Sequence, residues 1–171
     1  DRSPSRGLGD VYKRQLSGNV NPFIPGEEDK LIAELKHLLD MDIPVLASCN
    51  RVPERDGHFV SCGVEVSSET SIEEVRELMK IPSLRLPSSP REVNTLIDES
   101  PNREEHLWNG KGMTTTVGNI RVEGNIIRFD ALSHNTIRGA AGGVILLAEF
   151  AVQESYICLL YTSDAADEED S

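Results

Sequence analysis

The residues that most directly suggest chemistry form the string from Ser133 to Gly143, which reads S-H-N-T-I-R-G-A-A-G-G. An apolar-alternating segment ends where this string begins, and the string opens a predicted helix. Asn135 is a suitable N-cap, because its amide oxygen can accept from the free N–H groups of a first helical turn. The small residues from Gly139 onward leave almost no side chain, and each helical glycine costs about 1 kcal/mol relative to alanine. Such a helix start indicates close approach by another group, which is either a tightly packed sheet or the edge of a cofactor.

A second polar string, Asn50–His58, reads N-R-V-P-E-R-D-G-H. The imidazole of His58 is the type of group that exchanges a proton near neutral pH. Seven residues earlier, the planar guanidinium of Arg51 can hold a carboxylate through two parallel hydrogen bonds. Taken alone, the same residues also fit a surface histidine beside an Asp56-Gly57 turn and an ordinary arginine salt bridge.

A third string, Gly26–Lys30, reads G-E-E-D-K and precedes apolar residues at helical spacing. Glu27 and Lys30 are three residues apart at the predicted helix start, so their side chains share a face. They could bind the two charged ends of a small substrate, or they could form a solvated charged turn.

Together and in this order, the three strings resemble the aspartate-semialdehyde dehydrogenases, in their archaeal and fungal branch. The family's E-E-x-K and R-V-P-x-x-D-G-H motifs correspond to Glu27–Lys30 and Arg51–His58, and its C-terminal helix start corresponds to Ser133–Gly143. A Gly112-Met113 strand start and Val117–Arg121 lie between them, also as in the family. The resemblance covers roughly Leu16 to Ala151.

The resemblance implies a role for each candidate residue. His58 corresponds to the base that takes the proton of a catalytic thiol, and Arg51 to the arginine that holds the substrate α-carboxylate. Glu27 corresponds to the carboxylate that receives the substrate ammonium, and Lys30 to the lysine that holds phosphate. Asn135 would lie at the cofactor, which in this family is NADP. The family reaction interconverts aspartyl 4-phosphate and aspartate 4-semialdehyde through a cysteine thioester, on the route to lysine, threonine and methionine.

The chain resembles only the C-terminal catalytic and dimerisation domain of that family, which forms homodimers or homotetramers. The glycine-rich dinucleotide loop and the catalytic cysteine motif are not found in it, so the chain alone is expected to be inactive. Cys49 lies within a strand pattern, and its counterpart in the family is not the catalytic thiol. The alternatives are a malonyl-coenzyme-A reductase, a close paralogue, and a non-catalytic dimerisation module. Glu27 favours the amino-acid substrate, because a malonyl group has no ammonium.

The two ends of the chain do not fit the resemblance. Asp10–Gln15 can be encoded by a DNA element whose opposite strand encodes Cys158–Ser163. Such a relation is typical of translated sequencing-adapter DNA, so residues 1–15 and 158–171 are expected to be non-native tails. The predicted domain is then 16–134, followed by a C-terminal helical segment, 135–157, that packs toward the dinucleotide-binding domain.

Composition excludes several classes of function. The formal net charge of −12 opposes a nucleic-acid binder, which needs a basic face. No apolar run approaches the roughly 20 residues that cross a bilayer. Cys49 and Cys62, without a secretory signal, are typical of reduced thiols in a cytoplasmic protein. The histidines and cysteines lack metal-ligand spacing, so no metal site is predicted.

Periodicity, capping and turn signals predict the elements that position these residues. Helices are predicted at Gly26–Asp40, Ser71–Lys80 and Thr136–Gln153, and strands at Ile43–Cys49, Phe59–Val66, Glu92–Ile97, Met113–Val122 and Ile126–Leu132. Glu123-Gly124-Asn125 predicts a hairpin between the last two strands, and Asp98–Gly112 is predicted to be an exposed loop. The expected fold class is α+β, with a mixed, largely antiparallel sheet and helices on one face.

Overall fold

The computed structural model describes residues 19–22 and 24–157, in two compact units that divide after Arg55. The expected adapter-like tails, 1–15 and 158–171, lie outside the described residues. In the first unit, helix α1 spans Glu27–Leu39, as predicted. Gly26 precedes it with a φ of 77°, a left-handed conformation that glycine adopts without strain. The acidic residues of its first turn interact favourably with the helix dipole.

The predicted strand at Ile43–Cys49 is wrong, because this segment pairs with no strand in the described part of the chain. The segment is extended, and its residues alternate between half-buried and exposed, as the apolar pattern suggested. A strand also requires a neighbouring backbone to accept its hydrogen bonds, and Pro44 has no N–H to offer. Among the described residues, the backbone next pairs at Arg51, through two hydrogen bonds of 2.9 Å with Asn21.

The second unit is built on a four-stranded sheet. Its strands are β1 (His58–Glu65), β2 (Asn94–Leu96), β3 (Thr115–Glu123) and β4 (Ile126–Ser133). Their spatial order is β1-β4-β3-β2. The two pairs that involve β4 are antiparallel, whereas β2 and β3 are parallel. The expected mixed, largely antiparallel sheet is therefore confirmed.

One face of the sheet carries the core beneath helix α2 (Ile72–Leu78). Val75 of this helix packs with Val117 and Ile120 of β3, and all three are almost fully buried. A capping box starts α2: the Glu74 N–H donates to Ser71 Oγ, and the Ser71 N–H donates to the Glu74 carboxylate. The capping signal at the start of the predicted helix Ser71–Lys80 is confirmed, and the capping box fixes the start of the helix that covers the sheet.

The hairpin between β3 and β4 is confirmed, with Gly124 at a φ of 62° in the turn. The register then shifts between Gly118 and Arg121, where Asn119 adopts a φ of 52°. A β-bulge of this kind redirects side chains. It turns the Asn119 amide toward the carboxylate of Asp130 on β4, at 2.8 Å.

The segment Asp98–Gly112 is more ordered than the predicted exposed loop. It contains the short helix α3, Arg103–His106, capped by Asn102, whose Oδ1 accepts from the Glu105 N–H at 2.9 Å. Leu107, directly after the helix, is only 3% exposed. The polar composition of the segment concealed this apolar anchor.

The last predicted helix begins with a π-helical turn, Ile137–Ala141, and continues as helix α4, Gly142–Gln153. The prediction that Asn135 caps it is wrong. Thr136 precedes the helical residues, and no side chain caps them. The Asn135 oxygen instead accepts from the Gly57 N–H, 78 residues away in sequence, at 2.7 Å. A capping prediction takes into account only donors that are near in sequence, whereas the Asn135 oxygen accepts from a donor that is distant in sequence.

The small residues at this helix start have two different environments. At Gly142 an added Cβ would collide with Met113 Sδ, and at Gly143 it would lie 2.5 Å from the Arg138 carbonyl oxygen. These two glycines therefore serve tight packing within the chain. At Gly139 the nearest atom would be 3.9 Å away, and Gly139, Ala140 and Ala141 are exposed.

Candidate functional site

Two of the predicted site residues, His58 and Asn135, lie together at one end of the sheet. His58 is the first residue of β1, where it pairs with Ser133, the last residue of β4. The chain continues from Ser133 to Asn135, whose oxygen accepts from the N–H of Gly57, the residue before His58. The His58 side chain is exposed, so a reacting group can reach it. The predicted base and the predicted cofactor residue are thus linked through one backbone amide.

The turn that leads into His58 requires its glycine. Gly57 has a φ of 111°, which a residue with a side chain rarely adopts. An added Cβ would also lie 3.2 Å from the Leu107 Cδ1 atom. Because of both constraints, the structure requires glycine at the central position of the D-G-H motif.

The three predicted substrate-binding residues, Glu27, Lys30 and Arg51, belong to the first unit. Glu27 and Lys30 lie in the first turn of α1 and are exposed. The Lys30 ammonium lies 3.8 Å from a carboxylate oxygen of Glu34, and both side chains are more than half exposed. An exposed pair of this kind contributes about 0–1 kcal/mol, so an incoming anion can replace it. Arg51 is exposed. Its backbone N–H and C=O both form hydrogen bonds with the backbone of Asn21.

Cys49 is a free thiol in the same unit, and its N–H donates to Glu28 Oε1 at 2.9 Å. Cys62, on β1, is also free. Burial, and after it the charge of Asp130, raises the pKa of the Cys62 thiol. A raised pKa lowers the fraction of reactive thiolate, so Cys62 is poorly suited to act as a nucleophile.

His134 was not predicted as a site residue, although it lies beside Asn135. Its side chain is 2% exposed and its ring meets that of Trp108 edge to face, with centroids 4.5 Å apart. Thr136 Oγ1 lies 3.2 Å from His134 Nδ1, and Nε2 has no hydrogen-bond partner among the described residues. The packing of this ring holds the backbone that carries Asn135. Trp108 itself is 61% exposed.

A second polar cluster, also missed from sequence, surrounds Asp130 in the middle of β4. Its Oδ1 accepts from Ser61 Oγ at 2.6 Å, and its Oδ2 accepts from Ser100 Oγ at 2.9 Å and from Asn119 Nδ2 at 2.8 Å. The available signal was a carboxylate flanked by the apolar residues Phe129 and Ala131, since such a group needs partners when it is buried.

Opposing influences set the pKa of Asp130. Burial is the largest single one and acts to raise the pKa. The hydrogen bonds from Ser61, Asn119 and Ser100 and the nearby Arg121 charge act in the other direction. Together they bring the pKa of Asp130 below its usual value, so this buried group is held as a carboxylate. A cavity of about 320 Å³ opens beside it.

Residues 19–22 and 24–157 contain no group of three or more histidine, cysteine, aspartate or glutamate side chains that could hold a metal ion. Over the same residues, every helix is too short or too polar to span a bilayer.

Comparison with known proteins decides the family. A family model described as semialdehyde dehydrogenase, dimerisation domain, matches residues 6–138. The chain belongs to the semialdehyde dehydrogenase family. This confirms the resemblance found in the three strings of sequence, and it agrees with the α+β fold.

Individual semialdehyde dehydrogenase relatives agree with this assignment. The chain is 41% identical over 156 residues to an aspartate-semialdehyde dehydrogenase of Archaeoglobus fulgidus, covering 83% of the chain and 45% of the relative. It is 31% identical over 168 residues to a malonyl CoA reductase (NADP) of Metallosphaera sedula, covering 86% and 47%.

A crystal structure of Candida albicans aspartate semialdehyde dehydrogenase with NADP superimposes with a TM-score of 0.74 at 31% identity, over 91% of the chain and 49% of that structure. The chain spans about half the length of the curated relatives it matches.

Proposed function

We propose that this chain is part of an NADP-dependent aspartate-semialdehyde dehydrogenase that interconverts aspartyl 4-phosphate and aspartate 4-semialdehyde. The enzyme would act in the cytoplasm, in the biosynthesis of lysine, threonine and methionine. One observation carries the proposal: the hydrogen bond from the Gly57 N–H to Asn135 joins the predicted base to the predicted cofactor residue. A scaffold without catalysis would not need all four of Arg51, His58, Glu27 and Lys30, which are present at their motif positions.

His58 would act as the base that activates the catalytic thiol. Its imidazole is exposed, while its backbone is held by strand pairing on one side and by the Gly57 turn on the other. A general base must lie within hydrogen-bond reach of the group that it deprotonates. An accessible imidazole on a held backbone supports this role for His58.

Charges in the first unit would bind the ends of the substrate. Arg51 offers a planar pair of donors for the α-carboxylate, and Glu27 offers a carboxylate for the ammonium. Lys30 would exchange its exposed partner Glu34 for the phosphate group, which carries more charge.

The residues near Asn135 fit a nicotinamide dinucleotide. The Asn135 oxygen is occupied by Gly57, which leaves the amide N–H groups available as donors to a carboxamide. Gly139, Ala140 and Ala141 form an exposed surface almost without side chains, on which a flat group can lie. When bound, NADP supplies the hydride acceptor or donor of the reaction.

A test of the proposal uses the full-length protein that contains this chain. We expect phosphate-dependent reduction of NADP with aspartate semialdehyde, followed by absorbance of the reduced cofactor. Glu27→Gln should raise the KM for this substrate, because it removes the partner of the ammonium. Absence of turnover with any acyl substrate would contradict the proposal and favour the non-catalytic module.

The malonyl-coenzyme-A reductase alternative rests on the similarity to the Metallosphaera sedula enzyme. The same assay with malonyl-coenzyme A and reduced NADP separates the two functions. A higher kcat/KM for malonyl-coenzyme A, unaffected by Glu27→Gln, would establish the alternative instead.

We also propose that the full-length protein is a homodimer or homotetramer. The family match is to a dimerisation domain. The β1 strand lies at the edge of the sheet, and it exposes the apolar residues Phe59, Val60 and Val64. Light scattering after size-exclusion chromatography should give the mass of two or four subunits, whereas a monomeric mass at micromolar concentration would contradict this assignment.

A further inference from the structure

We propose that Arg103 is a positioning residue for His58, which it orients through the peptide bond between Asp56 and Gly57. This assignment gives a role to a segment, Asp98–Gly112, whose sequence suggested only an exposed loop. It rests on the proposed function, because it takes His58 as the base.

The first observation concerns a single peptide plane. Its carbonyl, from Asp56, accepts from the Nε of Arg103 at 2.7 Å. Its N–H, from Gly57, donates to Asn135 Oδ1, also at 2.7 Å. The two polar groups of a trans peptide point in opposite directions. Two side chains therefore hold this plane from its two sides, and rotating it would break both hydrogen bonds.

The plane needs this restraint because of its position in the chain. Gly57 can adopt many backbone conformations, and its φ of 111° is one that most other residues avoid. The next residue is His58, so any rotation about Gly57 would redirect the imidazole. A hydrogen bond from a charged guanidinium is stronger than one between neutral groups, so it favours one orientation of the peptide.

Helix α3 can supply this donor because it is anchored beneath the same turn. Arg103 and Leu107 are four residues apart and lie on one face of the helix. Leu107 is 3% exposed, and its Cδ1 lies 3.2 Å from where a Cβ on Gly57 would be. A helix as short as α3 would not be stable alone, so its cap at Asn102 and this buried leucine hold it in place.

Arg103 thus differs from the other groups around His58. Asn135 holds the same peptide but also lies at the proposed cofactor surface, so its replacement would affect two functions. Arg103 contacts the backbone of the turn, so its replacement should affect catalysis through the orientation of His58.

The experiment uses the full-length enzyme and the rate of acylation of its catalytic cysteine. Arg103→Met should slow acylation by roughly tenfold to a hundredfold, the equivalent of one charged hydrogen bond. The KM should stay within about twofold, because no substrate contact is lost. Arg103→Lys keeps a charged donor and should recover part of the rate. Arg91→Met, at an exposed arginine outside this turn, is the matched control and should leave the rate unchanged.

A double-mutant cycle decides whether Arg103 acts through His58. In a His58→Asn background, Arg103→Met should have almost no further effect, because the group that it positions is gone. If the two effects multiply, or if Arg103→Met leaves acylation unchanged, Arg103 has no such role while the proposed function stands. If His58→Asn itself leaves acylation unchanged, the assignment of the base fails first, and the assignment of Arg103 fails with it. Thermal unfolding of each variant shows that it is folded.

Discussion

The two units of the chain hold their candidate residues in different ways. At the start of the sheet, His58 follows a peptide held from both sides, above a buried leucine. In helix α1, by contrast, no residue is buried, and the charges of Glu27 and Lys30 face water. A group that transfers a proton must be placed to within a fraction of an ångström, whereas a charge that attracts a substrate acts over a longer distance. The difference in anchoring therefore agrees with the difference in proposed role.

The sharpest test of this contrast replaces the anchored residue. His58→Asn in the full-length enzyme should lower kcat by roughly 10²–10⁴, the usual contribution of a positioned acid or base. The amide can keep a hydrogen bond but cannot carry the proton. Stopped-flow measurement of cysteine acylation, with NADP binding as the control, checks this result. An acylation rate within about threefold of the parent enzyme would show that His58 is only a turn residue.

A substitution in the first unit should have a smaller effect of a different kind. Arg51→Lys keeps the charge but loses the two-pronged contact with the carboxylate. Transition-state binding should therefore weaken by about 1–3 kcal/mol, and kcat/KM should fall by the corresponding factor. Steady-state kinetics with aspartate semialdehyde measure it, and Arg85→Lys, at another exposed arginine, is the control. An unchanged kcat/KM would remove Arg51 from the site.

The buried carboxylate of β4 tests how much of the anchoring is electrostatic. Asp130→Asn should lower the free energy of unfolding of this chain at pH 7 by roughly 1–2 kcal/mol, since three donors lose a charged acceptor. Folding lowers the pKa of Asp130, so its contribution is full above the unfolded-state pKa near 3.8. That contribution is lost as the pH falls through the lower pKa of the folded protein.

Urea unfolding at pH 7 and below pH 4 should therefore show that the difference between parent and Asp130→Asn shrinks in acid. Asp98→Asn is the matched control, because the Asp98 side chain is 92% exposed where it pairs with Arg76. A difference between parent and variant that is independent of pH would mean that the Asp130 charge contributes nothing.

The smallest effect is expected on the outer surface of α1. Leu38 is 80% exposed, so Leu38→Ala should change the unfolding free energy of this chain by less than about 0.5 kcal/mol. Val75→Ala, in the core beneath α2, should reduce it by roughly 1–3 kcal/mol. Chemical denaturation of the two variants compares the units directly. A large loss at Leu38 would show that α1 packs as firmly as the sheet does.

Local signals in the sequence predicted local structure well. The capping box at Ser71 and the hairpin at Gly124 involve neighbours in the chain, and both are confirmed. The predictions failed where a distant partner decides the outcome. The segment Ile43–Cys49 has the apolar alternation of a strand, but it pairs with no strand within residues 19–22 and 24–157. The Asn135 oxygen bonds to Gly57 rather than to its own helix.

The candidate site shows the same division between local and distant information. The residue types of His58, Arg51, Glu27 and Lys30 were readable from motifs, and their roles stay predictions. The contributions of Arg103 and Asp130 could not be read in this way. Arg103 lies within a polar stretch that resembles any surface loop, and its Nε donates to a backbone carbonyl 47 residues away. Asp130 finds its three partners on three separate segments.

The held peptide between Asp56 and Gly57 also affects the chemical ageing of the protein. An aspartyl-glycyl sequence degrades when the glycine nitrogen attacks the preceding side-chain carboxyl and closes a five-membered imide. Here the Gly57 N–H donates a hydrogen bond to Asn135, and the Asp56 carbonyl of the same peptide accepts one from Arg103. Both bonds restrain rotation of this peptide, and the Gly57 N–H must leave its hydrogen bond to Asn135 before the nitrogen can attack, so we expect the reaction to require local opening. We therefore expect the two side chains that orient His58 also to slow isomerisation of the covalent backbone beside it.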